Sequence, residues 1–542
     1  MSNQPDNKSI RDIMLDLVGV QSDSGTVMER AAAERIASYF EEDPYFSMHR
    51  DCWGIADTGD HLGRPVVWAL KKGTTPRTLI LTGHYDAVET ESYGDLKPWA
   101  LKPEELARVI EGSGRADEKI AADLASGDWV FGRGTADMKG GLAIGIHKVL
   151  SHPAGEKTGL LFAAVCDEEN MSAGARGCVP LLLQIREKFG LEYAATLILE
   201  PQLALGSDEF MVYNGSIGKI LPAIVTRGVL SHCGEPVKGL SAAHIAAEIT
   251  CRLDLNCDLT TSDLGLTTQA PIVTMVRDLK TTYDVSVPGY GALMLNLLFL
   301  GEGKVGGLMS KIIEICQQAA DAVMERYEKA YEHSFRAGLI SPDAKVTRGP
   351  VVIELGKLEE MAAVRLGADF DALKAELAQS LYQRINASEL TLQNASIEYM
   401  KKVLEMSGLD GPAIVVGISP PYYPCVCNGY LPGKDGGVLE IVRREAEENL
   451  GMKLKVMPYF TGIGDASYMS CTDPDGQRQV MKNLTLPANC YDIPFEDIAR
   501  LGAPCFFIGP RAFEIHQWSE RVYMPDLEKT VPAIIDRLLK EL

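Results

Sequence analysis

The sequence predicts an α/β fold in which a mainly parallel sheet flanked by helices carries an inserted α+β domain. A length of 542 residues exceeds what one ordinary hydrophobic core organises. Strand-like runs alternate with amphipathic helical runs through the first part of the chain, a pattern typical of parallel sheets. After about residue 215 the pattern changes to β-rich and then long helical stretches. Together these observations indicate two domains.

Several predicted strands place polar residues just past their C-terminal ends, which is the edge where open α/β sheets bind ligands. The Gly-rich stretch GRGTADMKGG opens a helix, so its Asp137 can face the same edge. The strands and the polar residues that follow them are Thr78–Leu81 before His84, Leu160–Cys166 before Asp167-Glu168-Glu169, Thr196–Leu199 before Glu200, and Cys505–Ile508 before His516.

The domain bounds follow from the change of pattern. We expect the sheet domain to comprise 1–215 and 430–542 and the inserted domain to comprise 216–429. The inserted part contains a long predicted helix, Gly307–Ser334, and the apolar strand Ala413–Ile418. No internal repeat marks a solenoid or a propeller.

Charge and composition exclude several classes of protein. A net charge of −21 argues against a nucleic-acid partner, because phosphate binding needs a basic surface. The twelve cysteines contain no CxxC pair and do not suggest a zinc ribbon or a disulfide framework. The N-terminus lacks the pattern of a signal peptide, and no stretch stays apolar long enough to span a membrane. We therefore expect a cytoplasmic protein without a membrane partner.

The polar residues at the strand ends comprise two imidazoles and four carboxylates. Nitrogen and oxygen ligands without thiolate suit Zn²⁺, with Co²⁺ or Mn²⁺ as possible substitutes. One open zinc site needs only three protein ligands, so six groups suggest two metals that share a carboxylate, with one residue left for proton transfer. The six residues are His84, Asp137, Glu168, Glu169, Glu200 and His516.

Each of these residues also has an ordinary structural interpretation. A histidine at a strand end is more often a hydrogen-bonded structural residue, and Asp137 in a Gly-rich turn is typical turn chemistry. The acidic run after Cys166 could be a solvated loop, and Glu200 before Pro201 could simply close a strand. For His84, the nearby Asp86 favours the metal interpretation, since a carboxylate commonly orients a metal-binding imidazole. No single residue decides between the two interpretations, but the whole set in this order favours a metal site.

The motifs carry a resemblance to a known family. The dinuclear-zinc exopeptidase and deacylase family includes acetylornithine deacetylase, succinyl-diaminopimelate desuccinylase, glutamate carboxypeptidase and the aminoacylases. The sequence resembles it in order and context, and is most similar to a branch associated with arginine utilisation. The resemblance implies a zinc-exopeptidase-like catalytic domain with an inserted lid and dimerisation domain. The motifs are TGHYDAV, GRGTADMKGG, CDEENMSAGARG, ILEPQ and GPRAFEIHQWSERV.

The resemblance also implies a role for each residue of the site. Asp137 corresponds to the carboxylate that bridges both metals, and the peptide bond after it is expected to be cis. Glu168 corresponds to the general base, and Asp86 to the residue that orients His84. The metal ligands implied are Asp137 with His84 and Glu200 for one ion, and Asp137 with Glu169 and His516 for the other.

Further residues are implied around the substrate. His232, in TRGVLSHCGEPVKGLSA, resembles a lid histidine that stabilises the oxyanion, with a turn residue before Gly234 as the alternative. The loop GIGDAS resembles one that lies near the substrate carboxylate, and its backbone N–H groups are candidates for anion binding. The predicted substrate-binding residues are Gly462, Gly464, Asp465 and Asn214.

These implications favour a zinc metallopeptidase or amidohydrolase that cleaves an amide bond of an N-acyl amino acid or a small peptide. The resemblance also implies a link to arginine catabolism. A dipeptidase or carboxypeptidase is the alternative within the same class. A binding or scaffold protein that kept the fold without catalysis is the alternative of another class. The resemblance implies a homodimer formed through the inserted domain. The segment between His84 and Asp137 is longer than is usual in the family.

Overall fold

The computed structural model describes residues 8–203, 206, 208–431, 436–471 and 474–542, without the side chains of residues 343, 474, 475, 478 and 479. The chain divides into two compact units. The first comprises Met1–Ser216, Val426–Thr472 and Pro494–Leu542, and the second comprises Ile217–Cys425 and Asp473–Ile493. The sequence pattern predicts Asp473–Ile493 in the sheet domain, whereas the structure groups it with the second unit.

The strands are numbered in chain order. They are β1 (Trp53–Ala56), β2 (Val66–Lys71), β3 (Arg77–His84), β4 (Trp129–Phe131), β5 (Gly159–Val165), β6 (Glu192–Ile198), β7 (Glu209–Tyr213), β8 (Gly215–Ser216), β9 (Gly218–Arg227), β10 (Ser262–Asp263), β11 (Leu266–Thr267), β12 (Ile272–Asp278), β13 (Tyr290–Phe299), β14 (Val351–Glu354), β15 (Ala413–Tyr423), β16 (Val426–Cys427), β17 (Lys453–Met457), β18 (Cys505–Phe507), β19 (Ala512–Phe513) and β20 (Arg521–Tyr523).

The α-helices are numbered in the same way. They are α1 (Ile10–Val18), α2 (Glu29–Glu41), α3 (Pro44–Met48), α4 (Pro103–Ser113), α5 (Glu118–Ser126), α6 (Gly140–Ser151), α7 (Ala173–Phe189), α8 (Ala242–Leu253), α9 (Lys304–Arg336), α10 (Leu355–Leu366), α11 (Ala368–Asn386), α12 (Leu392–Ser407), α13 (Val438–Arg444), α14 (Pro474–Asn483), α15 (Phe495–Leu501) and α16 (Val531–Glu541).

The first unit is built on a sheet with the strand order β1-β2-β5-β3-β6-β18-β7-β17. Its central strands β5, β3, β6 and β18 run parallel to one another, whereas β1 and β2 are antiparallel additions at one edge. Strand β5 is buried at every position, as expected for a central strand covered on both faces. This α/β architecture confirms the predicted fold class.

Helix α6 lies close to the sheet, because glycines remove the side chains that would hold it away. A Cβ at Gly141 would lie 2.1 Å from the carbonyl oxygen of Leu199, and one at Gly145 would lie 2.5 Å from the ring of Phe162. The Gly-rich motif therefore serves packing as well as the turn that precedes the helix.

The second unit has its own sheet, with the order β12-β13-β9-β15-β14. Its pairs are antiparallel except for β14 and β15, so the unit is of the α+β type. Segment Asp473–Ile493 joins this unit through backbone and side-chain bonds. The N–H of Thr485 donates to the carbonyl oxygen of Ile418 at 2.9 Å, and the N–H of Gly356 donates to the side chain of Asn483 at 3.1 Å. Such contacts between distant segments are invisible in a local sequence pattern.

Among the residues that the structure describes, no helix combines the length and the apolar character that a membrane span requires.

Candidate metal centre

The carboxyl ends of three parallel strands meet at one edge of the larger sheet. Strand β3 ends at His84, which lies in register with Val165, the last residue of β5. Thr82 of β3 is in register with Ile198, the last residue of β6. The parallel register therefore brings His84, the Glu168-Glu169 pair and Glu200 to the same edge, as predicted.

Asp137 lies between the two imidazoles of the site. Its Oδ1 is 2.9 Å from Nε2 of His84, and its Oδ2 is 3.1 Å from Nε2 of His516. It follows β4 in a turn, Thr135–Lys139, and the predicted cis peptide bond between Asp137 and Met138 is present. A carboxylate whose two oxygens face different imidazoles has the arrangement that a bridging ligand requires.

Two more of the predicted ligands lie beside the imidazoles, Glu200 beside His84 and Glu169 beside His516. Oε1 of Glu200 is 3.3 Å from Nε2 of His84, and Oε1 of Glu169 is 2.8 Å from Nε2 of His516. Donor atoms of His84, Asp137 and Glu169 lie within 4.8 Å of one another, as do those of His84, Glu168 and Glu200. Nitrogen and oxygen donors at this spacing fit Zn²⁺, Co²⁺ or Mn²⁺.

The histidines and the central carboxylate shift each other's pKa values. Burial disfavours the charged form of His84, but the carboxylate of Glu200 and the bond to Asp137 raise its pKa well above 6.5. Bonds to Asp137 and Glu169 raise the pKa of His516 to about 10. Burial opposes ionisation of Asp137, yet its bonds to His516 and His84 hold its pKa below the usual range. Without metal, positively charged imidazoles thus balance the carboxylates.

The other carboxylates are harder to ionise. Burial raises the pKa of Glu168 well above 4.5, and the nearby carboxylates of Asp465 and Glu169 raise it further. Burial and Asp137 raise the pKa of Glu200 to about 7, and they also raise that of Glu169. Buried carboxylates so close together need cations to ionise, which is the electrostatic character of a metal site.

Asp86 supports the site in more than one way. Nδ1 of His84 is 3.0 Å from the backbone carbonyl oxygen of Asp86 and 3.5 Å from its Oδ1. Both oxygens of the buried carboxylate accept backbone N–H groups, those of Glu168 at 3.1 Å and Glu169 at 3.2 Å. The side chain predicted to orient an imidazole therefore also holds the Glu168-Glu169 backbone.

Arg64 also supports the site and was not predicted from the sequence. The buried guanidinium donates to Oε1 of Glu29 and Oδ1 of Asp167, each at 2.6 Å, and to Asp60 at 2.7 Å. Asp167 has a φ of 65° and directly precedes Glu168, so the Arg64 bond holds a strained residue beside the site. An isolated arginine in a loop gives no sequence signal for such a role.

The predicted substrate-binding residues occupy different environments. The carboxylate of Asp465 is buried, and burial raises its pKa to about 7. Gly462 and Gly464 lie against aromatic rings, with Phe460 2.7 Å and Phe507 2.9 Å from the positions that a Cβ would take. The side-chain oxygen of Asn214 accepts a bond from Asn428 at 3.0 Å. Their roles in substrate binding stay predictions.

His232 lies in the second unit and is exposed. Its Nδ1 accepts the backbone N–H of Gly234 at 3.0 Å, which is the turn bond that the structural alternative expects. The bond leaves Nε2 available, and the oxyanion role stays a prediction.

The model of peptidase family M20/M25/M40 matches residues 80–489. The chain belongs to this family. The match includes His84, Asp137, the Glu168-Glu169 pair and Glu200. His516 lies beyond it, so its place in the centre rests on the distances to Asp137 and Glu169. As a member of this family the chain is a hydrolytic enzyme.

Two curated relatives extend over nearly the whole chain and a third over half of it. The chain is 31% identical to YqjN of Bacillus subtilis over 98% of this chain and 96% of that protein. It is 27% identical to RocB of the same organism over 96% of this chain and 92% of that protein. Succinyl-diaminopimelate desuccinylase of Dechloromonas aromatica matches at 26% identity over 50% of this chain and 64% of that protein.

Solved structures share the fold of this M20 chain at low sequence identity. Aminopeptidase PepT of Bacillus cereus matches with a TM-score of 0.52 and 14% identity, over 99% of this chain and 98% of that one. The di-peptidase Dug1p of Saccharomyces cerevisiae matches with a TM-score of 0.52 and 10% identity, over 98% of this chain and 95% of that one. Both likenesses establish the fold.

Proposed function

We propose that this M20 hydrolase is a dinuclear amidohydrolase that cleaves the amide bond of an N-acyl amino acid or a small peptide. The observation that carries the proposal is the position of Asp137, whose two oxygens face His84 and His516 at 2.9 Å and 3.1 Å. Glu168 lies among these ligands and is the carboxylate left for proton transfer.

The residues fit two divalent metal ions. His84 and Glu200 would hold one ion and Glu169 and His516 the other, with Asp137 shared between them. When bound, the ions would supply a water acidified to a pKa of about 7 and would polarise the carbonyl of the substrate. Zinc is the proposed metal, because nitrogen and oxygen donors suit it. Co²⁺ and Mn²⁺ are the substitutes that we expect the same donors to bind.

Glu168 is the proposed general base and acid. Its pKa is raised by burial and by the carboxylates beside it, so it binds a proton more readily than an exposed glutamate does. It takes a proton from the attacking water and returns it to the leaving amine. The bond from its backbone N–H to Asp86 at 3.1 Å fixes the backbone from which the Glu168 side chain extends.

The inserted unit carries the residue proposed to stabilise the oxyanion and the surface proposed for dimerisation. His232 is exposed, its Nδ1 is engaged in a turn, and its Nε2 is available to stabilise an oxyanion. We propose that the chain forms a homodimer through this unit, where β12 is the edge strand of the sheet and exposes apolar residues such as Ile272 and Val276. We also propose a role in arginine catabolism, which rests on the family resemblance of the sequence motifs.

We favour a deacylase over a dipeptidase, because a succinyl-diaminopimelate desuccinylase is among the relatives found by sequence. The test is amine release by purified protein loaded with Zn²⁺ or Co²⁺, on N-acetyl, N-succinyl and N-carbamoyl amino acids and on dipeptides. Release from N-acyl substrates that Glu168→Gln abolishes supports the proposal. A strict requirement for a free amine would establish the dipeptidase instead.

The Glu168→Gln variant shows whether the amine release comes from the proposed centre. Glu168→Gln should retain two metal ions, because it removes no proposed ligand, and should lower turnover by roughly 10²–10⁴-fold. Two bound metals with no release from any substrate would contradict the proposed hydrolysis and favour a binding protein of the same fold.

A further inference from the structure

A buried ion pair joins the segments that carry Asp137 and His516. Arg133 and Glu520 are both buried, and Nη1 of Arg133 bonds to Oε2 of Glu520. The two residues are 387 positions apart in the chain. Each lies four positions from one of the predicted ligands, Arg133 before Asp137 and Glu520 after His516.

Glu520 holds the turn that leads to Asp137. Its Oε1 accepts the backbone N–H of Gly134 at 2.7 Å and lies 3.4 Å and 3.5 Å from the amide nitrogens of Ala136 and Asp137. A carboxylate oxygen within reach of successive amides fixes the path of a turn, because it satisfies donors that the turn leaves without a backbone partner.

Arg133 holds the backbone of His516. Its Nη2 donates to the carbonyl oxygen of His516 at 3.1 Å and to Oγ of Ser92 at 2.9 Å. His516 has a φ of 66°, a left-handed conformation that is unfavourable for a residue with a side chain. A donor at its carbonyl oxygen stabilises that conformation and therefore the direction of the imidazole.

We propose that Arg133 and Glu520 are positioning residues that set the distance between Asp137 and His516 and thereby the affinity of the metal ion between them. The guanidinium suits this task, since its planar fork can bond to Glu520 and to the His516 carbonyl at once. Neither residue is a ligand. The inference rests on the proposed dinuclear centre.

Loss of this ion pair should lower metal affinity, whereas loss of an ordinary structural ion pair lowers only the stability of the fold. A metal ion tolerates displacements of its ligands of only a few tenths of an ångström, and partners that orient ligands typically change metal affinity about 10–100-fold. A general structural contribution would instead lower the stability of the whole unit and leave the affinity of the folded protein unchanged.

The test is the metal affinity of folded variants, measured by competition with a chelator and by metal analysis, without any substrate. Arg133→Met and Glu520→Gln should each weaken binding of one of the two ions, the one that His516 would hold, about 10–100-fold. Arg133→Lys should recover part of the loss, since an ammonium group can pair with Glu520 but cannot match both bonds of the fork.

The double variant Arg133→Met with Glu520→Gln guards against misfolding, because it leaves no unpaired buried charge. Lys148→Met is the matched control. It removes the ion pair between Lys148 of α6 and Asp536 of α16 in the same unit. The control should lower thermal stability while retaining both metals at the affinity of the unmodified chain.

Weaker metal binding in the folded double variant, with the control unchanged, supports the proposal. Affinity equal to that of the unmodified chain in the folded double variant overturns it. Two metals bound by the unmodified chain with no hydrolysis would contradict the proposed function alone. An unmodified chain that cannot bind two metals would overturn both.

Discussion

The carboxylate of Asp86 accepts the backbone N–H of Glu168 at 3.1 Å through Oδ1 and that of Glu169 at 3.2 Å through Oδ2. The same residue lies beside Nδ1 of His84. One side chain thus links the strand end of β3 to the acidic loop after β5. Both hydrogen bonds are charge-assisted, which makes them stronger than those between neutral groups.

We expect Asp86→Asn to weaken metal binding and turnover together, by about 10–100-fold. The amide retains one acceptor oxygen and places an NH₂ group against the second backbone N–H. Metal analysis and turnover on the same preparation measure the effect. Asp43→Asn is the matched control, since Asp43 also accepts two successive amides, Tyr45 at 2.9 Å and Phe46 at 3.2 Å, at the start of α3. Equal losses in both variants would contradict the assignment.

Arg64→Met should be strongly destabilising, by about 3–5 kcal/mol, because it leaves the buried carboxylates of Asp60 and Asp167 without their cation. Denaturant unfolding measures the loss. Arg35→Met is the control, since the Arg35–Asp16 pair is about one-third exposed and is expected to contribute only about 0–1 kcal/mol.

The Arg64 effect should also depend on pH. Burial and Asp86 raise the pKa of Glu29 to about 8 even with Arg64 present, above its ordinary value of 4.5. The folded state then binds a proton that the unfolded state has released, so the contribution of Glu29 to stability falls as pH rises from 4.5 toward 8. Loss of Arg64 raises this folded pKa further, so the additional loss of stability develops as pH rises through about 8. The variant should therefore be destabilised more at about pH 9 than at about pH 5. A pH-independent difference would contradict this sign.

Gly509→Ala should disturb Glu200 through the backbone. A Cβ at this position would lie 2.1 Å from the carbonyl oxygen of Glu200. The collision forces the chain apart, so we expect about 1–3 kcal/mol of destabilisation and a loss of metal affinity. Gly112→Ala in α4 is the control. A Cβ added there would meet no neighbouring group within 4 Å outside its own helix, and alanine favours a helix. Unchanged metal content and stability in Gly509→Ala would refute the prediction.

Metal binding should release protons. The pKa of His516 is raised to about 10 by its bonds to Asp137 and Glu169, so the metal-free imidazole is protonated at pH 7. A metal ion must displace that proton, and its apparent affinity should therefore fall as pH falls, by up to about tenfold per pH unit for each proton displaced. Titration calorimetry in two buffers with different ionisation enthalpies measures the number released. Identical heats in both buffers would contradict the expectation.

Much of the centre could be predicted from the chain alone, because its ligands follow local patterns. His84 and Glu200 each follow an apolar strand, and parallel strands in register must bring their carboxyl ends to one edge. That the donors are nitrogen and oxygen atoms can be inferred from the residue types and their order alone. These local rules were sufficient for the α/β fold and for the set of candidate ligands, whereas the role of each residue in that set came from the family resemblance.

The supports of the centre were decided by the tertiary structure. Arg64 bonds to Asp167 across 103 positions and Arg133 bonds to Glu520 across 387. A charged side chain looks the same in a sequence whether it is solvated or buried, and only the packed chain determines which partner compensates it. The sequence by itself determined the fold class and the kinds of ligand available, whereas long-range packing decided what holds those ligands in place, because burial and pairing depend on neighbours that are distant in the chain.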